Sequence, residues 1–443
     1  MAEFDPPDAI ENPATGACGE DTPQQAQRKG EGRSARRRRS RAGASSTSGD
    51  PSRQRAGAKP TPLPRQDDTA EAWLAASEES RFAFTGQEAA PVTPPTVARP
   101  LPGYRQSYAA IDLGTNNCRL LIARPSGDNF VVVDAFSRVV RLGEGLAQTG
   151  MLSDEAMDRA VSALRICADK LKRRNVHLAR SVATEACRRA GNGSAFIERV
   201  HRETGIVLDV ISAREEARLA VLGCHILLEP GHGPALIFDI GGGSTELVLI
   251  ESTPTVPRIL DWISVPWGVV SLSETVGGEG ATPEARRARY AGMRDRVADS
   301  FATFSARLDP LRAAAASGDS PPLRLLGTSG TVTTLASVHL DLPQYDRSAV
   351  DGLVVPAASM RAISTRLSDM AIEQRRELPC IGRERADLVV AGCAILEAIL
   401  DLWPTDRLGV ADRGIREGIL RSLISANDAG ERARATLREL KLR

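Results

Sequence analysis

One pattern occurs twice in this sequence and limits the folds available to it. In AAIDLGTNNCRLLIAR (109–124) and LIFDIGGGSTELVLIE (236–251), an apolar run ends in Asp, an aliphatic residue and Gly, small polar residues come next, and a second apolar run follows. Each copy predicts two antiparallel strands joined by a tight turn. The equivalent aspartates are Asp112 and Asp239. A surface hairpin explains one copy adequately, but two copies, one in each half, favour a shared chemical role.

The two turns are the predicted phosphate sites. Glycine suits a turn that needs a positive φ, and it lets a ligand approach the backbone. Consecutive turn N–H groups form an anion-binding nest. Because a carboxylate beside a phosphate requires a cation between them, Mg²⁺ or another divalent ion is predicted at Asp112 and Asp239. The predicted phosphate-binding turn residues are Gly114, Thr115, Gly241, Gly242, Gly243 and Ser244.

A third candidate loop lies in LLGTSGTVTTLAS (325–337). A strand ends there, a turn follows, and a helix is predicted to begin near Thr331. The free N–H groups and the dipole of a helix N-terminus favour anions. An ordinary strand-to-helix turn is the alternative. The substrate-binding residues predicted here are Gly327, Thr328, Ser329 and Gly330.

Apolar periodicity after residue 104 predicts an α/β fold with two domains, at 105–232 and 233–443, the second with helical insertions. EPGHGP (229–234) is typical of a hinge or surface turn between them. Strands are expected at 108–114, 118–124, 129–137, 180–186, 206–212, 235–241, 245–251 and 323–327. Helices are expected at 153–174, 213–228, 284–309, 358–376, 383–402 and 413–425.

Residues 1–104 are predicted to be a disordered tail. Residues 1–103 contain 13 of the 27 prolines, and residues 1–100 contain only ten Val, Ile, Leu, Met, Phe, Trp or Tyr. That is too little apolar surface to offset the ordering entropy. Six arginines lie within 33–41. This run, with Arg36–Arg39 at its centre, is either a solvated basic stretch or a weak polyanion contact.

Composition excludes several classes. The formal net charge is +1 and aromatic residues make up 4%, which argues against a nucleic-acid-binding surface. Seven scattered cysteines without a CxxC predict reduced thiols in a cytoplasmic protein. The sequence contains no run of 18 apolar residues, so no membrane-spanning helix is predicted. The N-terminus lacks the apolar region of a signal peptide. No P-loop or GxSxG motif is present.

Together these segments resemble the exopolyphosphatase and guanosine pentaphosphate phosphohydrolase family. It belongs to the actin, sugar-kinase and heat-shock-chaperone superfold. The resemblance covers about residues 105–425 and rests on AAIDLGTNNCRLLI, VATEACRRAGN, VISAREEARLAVLG, FDIGGGSTELVL and LGTSGTV. It implies two actin-like (ribonuclease H-like) domains with a cleft between them. Since no His-Asp dipeptide occurs, the chain resembles the short, two-domain form.

The resemblance also implies residue roles. Glu216 resembles the catalytic carboxylate that orients the attacking water, although Ala213 stands where the family usually has Gly. Glu246 resembles a residue that places the metal or the water. Arg188 resembles an arginine near the substrate phosphates. Asn116 resembles a turn asparagine of the family, which either binds phosphate or orients the hairpin. The neighbouring Glu215 has a structural explanation, a capping box with Ser212.

The sequence therefore predicts a Mg²⁺-dependent phosphohydrolase that releases the terminal phosphate of inorganic polyphosphate. Guanosine pentaphosphate is the second candidate substrate. A non-hydrolytic nucleotide-binding switch of the same superfold is the alternative from another class. A homodimer is possible.

Overall fold

The structure is a computed structural model that describes residues 106–427 except 128, 232 and 254–256. The predictions for the tail at 1–104, including Arg36–Arg39, lie outside the described residues. Two mixed sheets organise the described part of the chain, and helices pack against both. The predicted α/β class is confirmed.

The first sheet has the strand order β3-β2-β1-β4-β5. Strands β1 to β3 form an antiparallel meander, and β4 and β5 continue the sheet in parallel from β1. Its strands are β1 Ser107–Leu113, β2 Asn117–Ser126, β3 Asn129–Val139, β4 Val176–Ala183 and β5 Leu208–Val210.

The second sheet repeats this plan in the order β10-β11-β9-β6-β7-β8. A meander of β6 to β8 is again continued by two parallel strands, β9 and β11, and β10 is added antiparallel at the edge. Its strands are β6 Pro234–Ile240, β7 Thr245–Glu251, β8 Arg258–Val265, β9 Arg324–Thr328, β10 Val354–Pro356 and β11 Arg407–Ala411. The repeated hairpin thus belongs to a repeated sheet.

Helices connect and cover these strands. Within the described residues, the helices before residue 403 are α1 Leu146–Thr149, α2 Asp154–Arg173, α3 Glu185–Arg189, α4 Gly193–Thr204, α5 Ala213–Cys224, α6 Val269–Val276, α7 Pro283–Ser317, α8 Ser329–His339, α9 Arg347–Val350, α10 Ala357–Asp369, α11 Ile372–Arg376 and α12 Val389–Leu402. A last helix, α13, covers 415–427. Helix α2 illustrates the local causes: Ser153 accepts from Ala156 N, acids occupy its first turn and bases its last.

Separate apolar cores lie on the two sheets. Side chains of β1, β2, α2 and α4 form one core, and β6, β7, α7 and α12 contribute to the largest. Helix α12 is apolar nearly all round, with twelve of its fourteen residues buried. Such a helix must lie inside the molecule, which is why it packs between α7 and α10.

Helices α5 and α13 cross at very short range. A Cβ on Gly223 would lie 2.0 Å from Gly414 O, and one on Gly418 would lie 2.0 Å from Leu219 O. Only glycine permits this approach. Because Ile419 shares a core with strand β1, the last helix packs on the first sheet. The boundary between residues 232 and 233 stays a prediction.

Several predicted element bounds shift. The strand expected at 180–186 begins at Val176 and ends at Ala183, where α3 follows. The helix expected at 383–402 begins only at Val389, because residues 383–388 form turns. Strands β8, β10 and β11 and helices α1, α4, α6 and α9 have no counterpart among the predicted elements.

Candidate active site

The two hairpin turns have the same hydrogen-bonded geometry. The N–H of Gly114 donates to Asn117 O at 2.9 Å, and the N–H of Gly241 donates to Ser244 O at 3.0 Å. Near each turn a cross-strand pair lies at the same position of the hairpin, Asp112 opposite Arg119 in the first and Asp239 opposite Glu246 in the second. The two copies are therefore structurally equivalent, down to the four-residue turn.

The turn glycines do not serve to allow a positive φ, and at Gly242 it is close packing that excludes a side chain. None of Gly114 and 241–243 has a positive φ, so that part of the prediction is wrong. Instead, a Cβ on Gly242 would lie 2.9 Å from Thr115 Cβ and 3.1 Å from Asn116 N. The backbone of the second turn thus packs directly against the first turn, and a side chain there would separate them.

The turn carbonyls accept hydrogen bonds within the protein, whereas several turn N–H groups have no acceptor among the described residues. The carbonyls of Thr115 and Gly242 accept from the N–H groups of Gly143 and Val270, at 2.9 and 2.8 Å. Four backbone N–H groups of the turns have no acceptor within the described ranges; they belong to Thr115, Asn116, Gly242 and Gly243. Free N–H groups on adjacent residues are the donors that an anion nest needs.

One cleft brings most of the predicted site residues together. Of sixteen predicted residues, thirteen line it: Asp112, Gly114, Thr115, Asn116, Glu216, Asp239, Gly241, Gly242, Gly243, Ser244, Glu246, Ser329 and Gly330. The other three, Arg188, Gly327 and Thr328, lie around it.

Asp112 and Asp239 end strands β1 and β6 and reach the cleft with incomplete hydrogen bonding. The Oδ1 atom of each is buried and has no hydrogen-bond partner within the described residues. Burial raises the pKa of both carboxyls, and repulsion from Asp239 adds to the rise for Asp112. Two such oxygens suit a divalent cation, since Mg²⁺ is usually bound by one or two carboxylates together with substrate phosphates. Among the described residues no group of three His, Cys, Asp or Glu converges on one metal position.

Glu246 lies across from Asp239 and is almost completely buried. Its Oε1 accepts from Ser244 Oγ at 2.7 Å and from Ser264 Oγ at 2.8 Å. Burial and the neighbouring Asp239 raise the pKa of the Glu246 carboxyl to about 7. The two serine hydroxyls fix the orientation of this carboxyl.

Glu216 enters the same cleft from the first turn of α5. It is 7% exposed, and burial, followed by repulsion from Glu246, raises the pKa of its carboxyl well above the ordinary value. Arg188 opposes this shift, because its Nη1 lies 2.9 Å from Glu216 Oε2. A buried carboxyl with a raised pKa is a typical proton acceptor in catalysis.

The guanidinium N–H groups of Arg188 donate hydrogen bonds to other groups of the protein. It binds Glu185 at 2.6 Å through Nη2, and its Nη1 donates both to Glu216 and to Ile211 O, the latter at 2.7 Å. Arg188 therefore contacts Glu216, the candidate catalytic carboxylate. A direct contact of Arg188 with substrate phosphate stays a prediction.

The capping prediction for Glu215 is half confirmed. Ser212 Oγ accepts from Glu215 N at 3.2 Å, as an N-cap should. The Glu215 carboxylate does not complete the box but pairs with Arg180 at 2.9 Å and with Arg218 at 2.7 Å. Charge-assisted bonds to two guanidinium groups are stronger than one bond to a backbone N–H.

The third loop contributes through Ser329 and Gly330. Ser329 has φ 80°, a strained conformation for a residue with a Cβ, and its side chain lowers the pKa of the Asp239 carboxyl, against the effect of burial. Thr328 Oγ1 donates to Arg413 O at 2.6 Å. A Cβ on Gly327 would lie 2.5 Å from the Phe238 ring. Gly327 and Thr328 therefore fix the loop, while Ser329 and Gly330 face the cleft.

Sequence reasoning missed three charged residues of the cleft: Arg119, Arg385 and Glu185. Arg119 follows Asp112 by seven residues, as Glu246 follows Asp239, so the repeat itself contained the signal. Arg119 lowers the pKa of both aspartates and so partly offsets their burial. Arg385 Nη1 lies 3.4 Å from Thr334 Oγ1. No local motif marks Arg385, since only the tertiary fold brings it here.

Every helix among the described residues is too short or too polar to span a bilayer. The cytoplasmic location and the homodimer stay predictions.

Comparison with known proteins identifies the class. The model of the Ppx/GppA phosphatase family matches residues 121–427, and the chain belongs to this family. Exopolyphosphatase 2 of Mycobacterium tuberculosis is 31% identical over an alignment 334 residues long, which covers 71% of this chain and 98% of that protein. The resemblance drawn from the motifs is thereby confirmed.

Solved structures of related proteins support the same family assignment. The Ppx/GppA family member of Aquifex aeolicus is 27% identical with a TM-score of 0.59, covering 73% of this chain and 98% of its own. An exopolyphosphatase from Cytophaga hutchinsonii is 25% identical with a TM-score of 0.61, covering 72% and 98%. The actin-like fold with two related sheets is thus confirmed, and the chain is a phosphatase-family enzyme.

Proposed function

We propose that this protein is an exopolyphosphatase, which releases the terminal orthophosphate of inorganic polyphosphate with water as the nucleophile. The observation that supports this most is the placement of Glu216, a buried carboxylate held by Arg188, in the same cleft as both hairpin turns. Relatives named exopolyphosphatase, matched over most of their length, support the substrate class.

The terminal phosphate is held by the turns. Free N–H groups of Thr115, Asn116, Gly242 and Gly243 bind its oxygens, and Ser244, Ser329 and Gly330 complete the pocket. Arg119 and Arg385 supply positive charge at the cleft wall. Phosphoryl transfer depends mainly on positioning and charge stabilisation, so this arrangement provides most of what the reaction needs.

The unpartnered oxygens of Asp112 and Asp239 would hold a divalent cation such as Mg²⁺, with Glu246 beside them. When bound, the cation would neutralise charge on the phosphoryl oxygens and stabilise the leaving phosphate chain.

Glu216 orients the attacking water and accepts its proton as the oxygen attacks the terminal phosphorus. The bond from that phosphorus to the bridging oxygen breaks, and the shortened chain leaves. Arg188 keeps Glu216 in one orientation, and Glu185 shares the Arg188 guanidinium. A general base of this kind typically contributes 10²- to 10⁴-fold to the rate, in order of magnitude.

Phosphate release should be compared for long-chain polyphosphate, guanosine pentaphosphate and ATP, with Mg²⁺ present and the Glu216→Gln variant as the matched inactive control. Polyphosphate should have the highest kcat/KM. A preference for guanosine pentaphosphate would make the second candidate correct. Binding of nucleotide without phosphate release from any substrate would favour the nucleotide-binding switch and overturn the proposal.

A further inference from the structure

A second groove lies beside the cleft and shares Asn117 and Arg385 with it. One wall is the end of strand β3, residues 137–139, and the other is the segment 381–385. Because the two cavities have lining residues in common, a long ligand that enters the cleft can continue into the groove.

The groove carries positive charge that the protein does not neutralise. Arg138, Arg383 and Arg385 line it against one acid, Glu384. Within the described residues none of these three arginines forms an ion pair, whereas nearby Arg141 pairs with Asp387 at 3.2 Å. The Arg138 guanidinium lies 5.5 Å from the Phe136 ring centroid, a cation–π contact that leaves its N–H donors free.

The wall at 381–385 is anchored. Arg141 Nη2 donates to Glu384 O at 3.3 Å, and Arg375 Nη1 donates to Ala386 O at 2.7 Å. Arg375 is only 1% exposed, so this second bond is inside the protein. A groove between an anchored segment and a sheet strand is largely formed before a ligand arrives, which lowers the ordering cost of binding.

We propose that this groove binds the inorganic polyphosphate chain behind the phosphate that is removed, an inference that rests on the proposed function. A polyphosphate chain repeats an anionic group at every unit, which matches a groove lined by guanidinium groups that form no ion pair within the described residues. Among the described residues that line the groove, none is an aromatic side chain on which a base could stack. The lining therefore favours a bare phosphate chain over a guanosine nucleotide.

The test uses the full chain with Arg138→Gln, Arg383→Gln and the double variant. Arg296→Gln is the matched control, since Arg296 also lies over an aromatic ring, 5.6 Å from the Trp267 centroid, and is exposed. The readout is the KM for long-chain polyphosphate divided by the KM for tripolyphosphate. Binding of long-chain polyphosphate is also measured by calorimetry in a Glu216→Gln background, where no turnover is needed.

The double variant should raise the KM ratio roughly 10-fold, through loss of charge-assisted contacts, and should flatten its dependence on salt. Arg296→Gln should match the wild type. An unchanged ratio, or an equal KM increase for tripolyphosphate, would overturn the proposal. If the wild type hydrolyses neither substrate but the double variant binds the long chain more weakly, the groove is supported and only the proposed function fails.

Discussion

Arg188 joins two carboxylates in the cleft, with Glu216 Oε2 2.9 Å from its Nη1 and Glu185 Oε2 2.6 Å from its Nη2. The guanidinium and both carboxylates are largely buried. One cation therefore compensates two acids, and a change to any member of the group alters the charge balance of the others.

Removing Arg188 should affect stability and activity together. Arg188→Gln leaves Glu216 buried without its cation, so it should lower the free energy of unfolding by about 3 kcal/mol, the lower end for a broken buried ion pair. Adding Glu216→Gln removes the uncompensated charge and should recover much of that stability, but not the activity. Denaturant unfolding of the two single variants and the double variant measures this coupling. If the effects of the two single changes simply add in the double variant, the pair is not coupled.

Glu246 should make the metal-free protein less stable as the pH rises. The folded protein raises the pKa of Glu246 from 4.5 to about 7, so the folded state binds this proton more tightly than the unfolded chain. Its contribution to stability is therefore present below about pH 4.5 and lost as the pH rises to about 7.

Glu246→Gln removes this loss, and the variant should be about 3 kcal/mol more stable than the wild type at pH 8 without metal. The Tm difference between the two proteins should shrink toward zero as the pH falls. Melting curves from pH 5 to pH 8 with a chelator measure it. A Tm difference that does not change with pH would show that folding does not raise the pKa of Glu246.

Asp239 should determine the affinity for Mg²⁺. Asp239→Asn should raise the Mg²⁺ concentration needed for half-maximal activity by about 10-fold or more, because a charged oxygen ligand is lost. Asp112→Asn should have a smaller effect, because the residue opposite Asp112 in its hairpin is the cation Arg119, whereas the residue opposite Asp239 is Glu246. Asp295→Asn, at an exposed position on α7, is the control. A wild-type Mg²⁺ titration for Asp239→Asn would contradict the assignment.

Gly242 should tolerate no side chain. Gly242→Ala introduces a Cβ 2.9 Å from Thr115 Cβ, which forces the two turns apart, and kcat/KM should fall about 10²-fold since small misplacements are costly. Gly292→Ala is the matched control, because nothing lies within 4 Å of its Cβ. In helix α7 that change should leave activity alone and add up to about 1 kcal/mol of stability. Equal activity of both variants would show that the turns need not touch.

The parts of this protein that sequence reasoning predicted are those made by neighbouring residues. The hairpins at Asp112 and Asp239 need only a local pattern of apolar runs and glycine, and they were placed almost to the residue. Ser212 as an N-cap is equally local.

What was missed depends on tertiary contacts. Arg385 reaches the cleft from a turn segment that carries no motif, and Arg188 meets Glu216 from 28 positions away. Strands β10 and β11 have three and five residues and are strands only because they complete the second sheet. The positive φ expected of the turn glycines was wrong, because the contact that excludes a Cβ comes from the other hairpin.

The central claim, that Glu216 activates the water, is tested most directly by comparing two neighbouring residues. The kcat for polyphosphate should be measured for Glu216→Gln and for Glu215→Gln, with Tm as the check on folding. Glu216→Gln should lower kcat by roughly 10²- to 10⁴-fold, the range for losing a general base, at a Tm no lower than the wild type. Glu215→Gln should keep kcat near the wild-type value, because Glu215 pairs with Arg180 and Arg218 and does not line the cleft. Near-normal kcat in Glu216→Gln, or a large loss in Glu215→Gln instead, would contradict the account.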